Sequence, residues 1–160
     1  MLLNLVTHNE ILIEAPAMSV WPHILELNTW KKGPELVRAR GPINARGEVF
    51  AATDRISKAV LYFAQNVELV PPEHRTIKLF RDDEANLLGF ASWQLRESDG
   101  LTTVVYDVYV QFAAPVDDAG EGTAVAREQL ENGRQFEERK RFQEELEQLK
   151  KLVERAEPGA

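Results

Sequence analysis

Residues 122–155 read GTAVAREQLENGRQFEERKRFQEELEQLKKLVER. Phe142, Leu146, Leu149 and Val153 recur at helical spacing and mark a buried stripe. Projected backward, the same stripe passes through Arg139, Gln135, Asn132 and Glu128. A helix whose inward face is apolar at one end and polar at the other suits the cover of a cavity as well as a solid core. With Leu146 as centre, Glu128, Gln135 and Arg139 lie within about 20° of it and Asn132 within about 40°. Straight, residues 123–155 would span about 50 Å, whereas a six-residue strand covers about 20 Å. The helix should therefore overhang its sheet or break, and Asn132-Gly133 is the expected break. An anchor over about 139–155 then follows a polar cover over about 123–135. Glu137–Arg141 and Glu147–Lys151 add supportive pairs four residues apart.

The chain has 160 residues, 44% hydrophobic and 28% charged, which fits one globular domain over 1–156 with a short disordered tail at 157–160. Acidic residues outnumber basic ones 26 to 19, a net charge of −7. That argues against nucleic acid and against docking on an anionic membrane. Cysteine is absent, which excludes disulfides, thiol catalysis and zinc–thiolate sites. The start carries no signal-peptide pattern and no run reaches membrane-spanning length, so the expected location is cytoplasmic.

Upstream of the helix the chain reads mainly as β. Ile11 and Ile13 alternate with Glu10, Leu12 and Glu14 in a first strand, 9–14. Val20, Trp21, Ile24, Leu25 and Leu27 form a short amphipathic helix after Pro16. Pro22 is awkward within it, so the helix should start near Ser19 or bend. Trp30 sits in a second helical turn ended by Gly33-Pro34. Strands are expected at 35–40, 47–56, 59–69, 75–81, 88–97 and 101–112, separated by Gly41-Pro42, Arg46-Gly47, Pro71-Pro72, Asp82-Asp83 and Ser98-Asp99-Gly100. Short turns between successive strands imply an antiparallel meander. Residues 113–122 read as a flexible acidic loop.

The stretch Ile11-x-Ile13-x-Ala15-Pro16-x-x-x-Val20-Trp21, followed by Trp30, resembles the opening of the START/polyketide-cyclase (SRPBCC) superfamily. Gly47-x-x-Phe50, Val67-x-Leu69-x-Pro71-Pro72-x-x-Arg75, Trp93-x-Leu95 and Gly100-x-Thr102-Thr103-x-Val105 are similar to its strand elements. Leu146-x-x-Leu149-Lys150-x-x-Val153-Glu154 resembles its closing helix. The resemblance implies an α+β helix-grip fold, about seven curved antiparallel strands wrapped around a long C-terminal helix. It also implies a cavity for a small hydrophobic or amphipathic molecule such as a lipid, sterol or polyketide. No single catalytic signature unites the superfamily, so no catalytic residue is carried over.

Strand phases put Phe63, Gln65, Leu95, Val104, Tyr106 and Val108 on buried faces, with Trp93 between Ala91 and Leu95. Together with Gln135, Arg139 and Phe142 they form the expected ligand-binding set. Tyr106, Gln65 and Arg139 would orient a polar end, and alanine at Gln135 and Arg139 would weaken binding without unfolding. Asp54 reads as a strand-end carboxylate, and a catalytic trio of Arg139, Tyr106 and Asp54 is a construction from face phases alone. His8, His23 and His74 match no metal spacing, and no Gly-x-Gly-x-x-Gly, Walker loop or Gly-x-Ser-x-Gly occurs, so neither metal nor cofactor is expected. Trp21 and Trp93 read as core, and Trp30 as core or cavity entrance. The charged run Glu137–Glu147 reads as a solvated face. Leu130, Gly133 and Phe136, off the main stripe, are candidates for a dimer contact, so the chain is a monomer or homodimer. The readings compatible with these features are ligand binding, a cyclase/aromatase-type enzyme in the same cavity, and an interaction module with a vestigial cavity.

Overall fold

The structure, a computed structural model, describes residues 2–81, 87–113 and 123–156. The elements are β1 (Leu2–Ile13), α1 (Ala17–Leu25), a 3-10 turn (Leu27–Thr29), β2 (Glu35–Arg40), β3 (Val49–Thr53), β4 (Val60–Val70), β5 (His74–Phe80), β6 (Leu87–Ser98), β7 (Leu101–Ala113) and α2 (Thr123–Ala156). All seven strands form one antiparallel sheet in the order β1-β7-β6-β5-β4-β3-β2. The strands match the expected positions, except that β1 begins at Leu2 rather than residue 9. Polar Asn4, Thr7 and Asn9 weaken its alternation, yet Leu3, Leu5, Thr7 and Asn9 all point inward and are buried.

α2 lies on the inner face and along the outer edge of β1. Its stripe Phe142, Leu146, Leu149 and Val153 is buried with Trp21, Trp93, Val104 and Ile13. Each such side chain contributes about 1.5–3 kcal/mol on burial. A second, polar contact runs beside the stripe. The Asn4 amide donates to Glu131 Oε1 at 3.1 Å and the Glu14 amide to Glu154 Oε1 at 3.0 Å. Gln143 Nε2 donates to Glu10 O at 3.2 Å, and Lys150 Nζ to Leu12 O at 3.1 Å. Asn9 Nδ2 donates to the Arg139 carbonyl and to Gln143 Oε1. An edge strand has a row of backbone groups without a neighbouring strand, and side chains of α2 occupy that row.

α2 is continuous across Asn132-Gly133, contrary to the expected break. Gly133 costs about 1 kcal/mol in helix propensity. The Glu131–Asn4 bond before it and the Arg134–Glu138 ion pair after it hold the helix on both sides. Leu130 and Phe136 lie on the solvent side, Phe136 71% exposed.

α1 also departs from expectation. It starts at Ala17 and keeps Pro22 in its interior. The bond that Pro22 cannot make falls on the solvent side, where Met18 is 70% exposed. Both helix ends are tied. The Ala17 amide donates to Glu97 Oε1 at 2.6 Å, and Arg75 Nη1 donates to the Ile24 carbonyl at 2.6 Å. A carboxylate at the N-terminus and a cation at the C-terminus both oppose the helix dipole. Arg75 is 2% exposed; burial depresses its pKa to about 10, with Glu48 and Glu26 opposing the shift, so it stays charged at neutral pH.

Where β6 meets β7 the backbones approach too closely for a side chain. Gly89 has φ +154°, and a Cβ there would stand 2.0 Å from the Tyr109 carbonyl oxygen and 2.6 Å from Val110 Cα. Gly89→Ala should destabilise the fold by at least about 2 kcal/mol in urea denaturation. Wild-type stability for that variant would show that the close approach is not required.

Candidate functional site

Between the inner sheet face and the polar half of α2 lies a cavity of about 320 Å³. Its buried wall includes Leu5, Leu27, Ile77, Ala91, Trp93, Tyr106, Val108 and Phe142. Exposed residues of the lining, Leu61, Arg81, Gln111, Arg134 and Arg141 among them, belong to its outer end. The space arises from a change of side-chain size. Gly89 and Ala91 present little volume on β6, and α2 carries Arg134 and Glu138 here instead of the aliphatic stripe. Phe142 is the boundary, since it packs in the core and its ring meets the Tyr106 ring edge-on at 5.0 Å.

Trp93 and Tyr106 stack with ring centroids 5.0 Å apart. Above Tyr106 sits Lys31, whose Nζ donates to Tyr106 Oη at 2.8 Å and to Glu145 Oε1 at 3.0 Å. The ammonium is also 4.7 Å from the Tyr106 ring centroid and 5.3 Å from that of Phe142. Glu145 is fully buried, and its second oxygen accepts the Lys32 amide at 2.6 Å. Burial alone would lower the Lys31 pKa, but the Tyr106 and Glu145 oxygens outweigh it and hold the ammonium above the usual lysine value. Burial raises the Tyr106 phenol, with Lys31 opposing, so the hydroxyl stays protonated at neutral pH. Tyr62, also on the cavity wall, is raised chiefly by burial.

The loop bearing Lys31 is held on its other side by Arg55, which donates to the Gly33 and Lys31 carbonyls at 2.8 and 3.1 Å. At the outer end, Glu138 is shared by two arginines. Arg141 Nη2 lies 2.7 Å from its Oε2 and Arg134 Nη2 lies 3.3 Å from its Oε1.

Of the residues expected at the site, Trp93, Tyr106, Val108 and Phe142 line this cavity together. Phe63 and Gln65 do not. They pair with Phe80 and Lys78 on the outer face, while Tyr62, Ala64 and Asn66 face inward. A bulge between Asn66 and Glu68 reverses the alternation, so Leu69 returns to the inner side. Leu95 and Val104 are on the inner face, but they pair in its packed end rather than along the cavity. Gln135 and Arg139 are also outside the lining. The inward direction of α2 passes through Glu138, Phe142, Glu145 and Leu149, which turns the 139–143 side toward β1. Asp54 holds the turn after β3 by accepting the Ile56 and Ser57 amides, which lower its pKa, so the trio of Arg139, Tyr106 and Asp54 is not assembled. Trp30 is 2% exposed with Nε1 bonded to the His23 carbonyl, and it is core rather than entrance.

Lys31, Glu138 and Glu145 were not singled out in the sequence. The two glutamates were hidden in a run read as solvated, although they share the helical phase of Phe142 and Leu149. His8 is held between Asp107 and Glu10, at 2.5 and 2.9 Å, and these bonds raise its pKa. Among the described residues no cluster of His, Asp and Glu has the arrangement of a metal site, and no helix is long and apolar enough to cross a membrane.

No family model and no curated protein matches the chain by sequence. Solved structures do match in shape. The Zhui aromatase/cyclase of Streptomyces sp. R1128 superposes with a TM-score of 0.66 at 17% identity, over 98% of this chain and 99% of that one. The chain has the helix-grip fold. A Mesorhizobium loti protein matches at TM-score 0.58 and 14% identity, over 95% and 98% of the two chains. Ara h 8.0201 matches at TM-score 0.57 and 10% identity, over 95% and 99%. At these identities the likeness establishes the helix-grip fold and leaves chemistry to the residues of the cavity.

Truncating Lys31 tests the buried pair. Lys31→Met leaves the Glu145 carboxylate buried without its cation and should cost about 3 kcal/mol in urea denaturation. Adding Glu145→Leu should restore part of that loss. A single variant within about 0.5 kcal/mol of wild type would show that the pair is not a structural lock.

Proposed function

We propose that this protein binds a small hydrophobic or amphipathic molecule in the cavity beneath α2. The observation that carries this reading is the cavity itself, about 320 Å³ with mostly apolar walls and a few convergent polar groups. Small-molecule sites usually fall in this size range and have this composition. Trp93, Val108, Ile77 and Phe142 would take the apolar part. The Tyr106 hydroxyl and Lys31 ammonium are donors that would orient an oxygen atom of the ligand. An open cavity also counts against the reading of a vestigial, side-chain-filled site in an interaction module.

The neutral fluorophore N-phenyl-1-naphthylamine should bind and brighten, with affinity in the micromolar range. Filling the space with Ala91→Leu and Val108→Phe should remove that binding while the chain stays folded by circular dichroism. A folded wild-type protein that leaves the probe dark would sink the proposal, and so would filled variants that bind as before.

A second reading is favoured by the Lys31–Tyr106 pair. Two donors converging in a mostly apolar cavity are suited to polarising a ketone oxygen as it gains negative charge, which an aromatase/cyclase-type reaction requires. The similar Streptomyces structure is called an aromatase/cyclase. A poly-β-ketone thioester incubated with the protein should then give a cyclised aromatic product by mass and absorbance, with Tyr106→Phe reducing the rate. Spontaneous product distribution in the presence of the wild type would leave binding alone.

A further inference from the structure

The charge on the cavity wall is opposite to that of the chain. The chain carries a net charge of −7, but among the described residues the lining contains four cations, Lys31, Arg81, Arg134 and Arg141, and one carboxylate, Glu138. The cations are not equivalent. Lys31 is already matched by the fully buried Glu145, and its side chain is only 19% exposed. Arg134 and Arg141 share a single carboxylate, Glu138, and remain 51% and 43% exposed. That group therefore carries one positive charge in excess, on guanidiniums that can reach an incoming oxyanion.

The two arginines are also oriented. The Arg134 guanidinium lies 5.5 Å from the centroid of the Phe112 ring, and that of Arg141 lies 5.1 Å from the Phe142 ring, both rings being part of the cavity wall. Glu138, 6% exposed, holds both from below. Guanidiniums fixed by a buried carboxylate and by aromatic faces lose less freedom when they bind an anion than free surface arginines do.

We infer that the ligand is an amphipathic anion, with its carboxylate or similar oxyanion at Arg134 and Arg141 at the outer end and its apolar body inward against Trp93 and Tyr106. This rests on the cavity-binding reading above and adds the ligand's charge and direction. Lys31 and Tyr106 then meet the inner end of the ligand, where a neutral oxygen would suffice.

The test uses two probes that differ by a sulfonate, 1-anilinonaphthalene-8-sulfonate and its neutral parent N-phenyl-1-naphthylamine. Wild type should bind the sulfonate about tenfold more tightly than the parent, and only the sulfonate should weaken as salt rises. Arg134→Gln and Arg141→Gln should each weaken the sulfonate at least about threefold, and together remove the preference, while the parent binds unchanged. The single variants each leave Glu138 one guanidinium, so they carry the test if the double variant does not fold. Equal binding of both probes by wild type would overturn this inference and leave the cavity reading standing. So would a preference that survives both arginine substitutions and is lost in Lys31→Gln. Failure of both probes to bind would instead remove the cavity reading itself.

Discussion

The seating of α2 along β1 is the constraint on which the rest of the structure depends. A sheet that does not close must leave its first strand with unpaired backbone groups. Here Glu131, Gln143, Lys150 and Glu154 bond to backbone groups at Asn4, Glu10, Leu12 and Glu14. These bonds fix the rotation of the helix about its axis, a quantity that an apolar stripe alone leaves loose. Once the rotation is set, Phe142, Leu146, Leu149 and Val153 point into the core, and Arg134 and Glu138 are turned toward the cavity.

The cavity follows from the same seating. The helix is anchored where its inward residues are aliphatic and continues unbroken beyond them, over a part of the sheet where Gly89 and Ala91 offer little volume. A helix laid across a twisted sheet leaves space wherever side chains do not fill it. Glu145 secures the other wall by holding Lys31 and the Lys32 amide. Truncating one member of that pair would leave a charge stranded in a buried setting, so the site and the fold are energetically coupled there.

Much of the fold was legible because strand alternation, turn residues and helical spacing are local properties. Six of the seven strands and the anchor Phe142–Val153 could be placed from them. The site was less legible, for identifiable reasons. One extra residue at the Asn66–Glu68 bulge turned Phe63 and Gln65 outward, and a bulge leaves no composition signal. The inward phase of α2 is hard to read because the polar residues Gln143, Lys150 and Glu154 face a strand edge, which looks in sequence like a solvated surface. Lys31 and Glu145 are 114 residues apart, and nothing local announces their meeting. Tyr106 and Trp93 were found because a large aromatic on an alternating strand points to the inside whichever partner it meets.

The sheet has two ends, and they are guarded by different means. β1 is sheathed by helix side chains. β2, at the other end, carries exposed Arg38 and Arg40 flanking a break in register with β3. Charge and irregular spacing make β2 a poor template for an incoming strand. Helix side chains at one border, and charge with irregular spacing at the other, leave little of either strand edge open to a further strand.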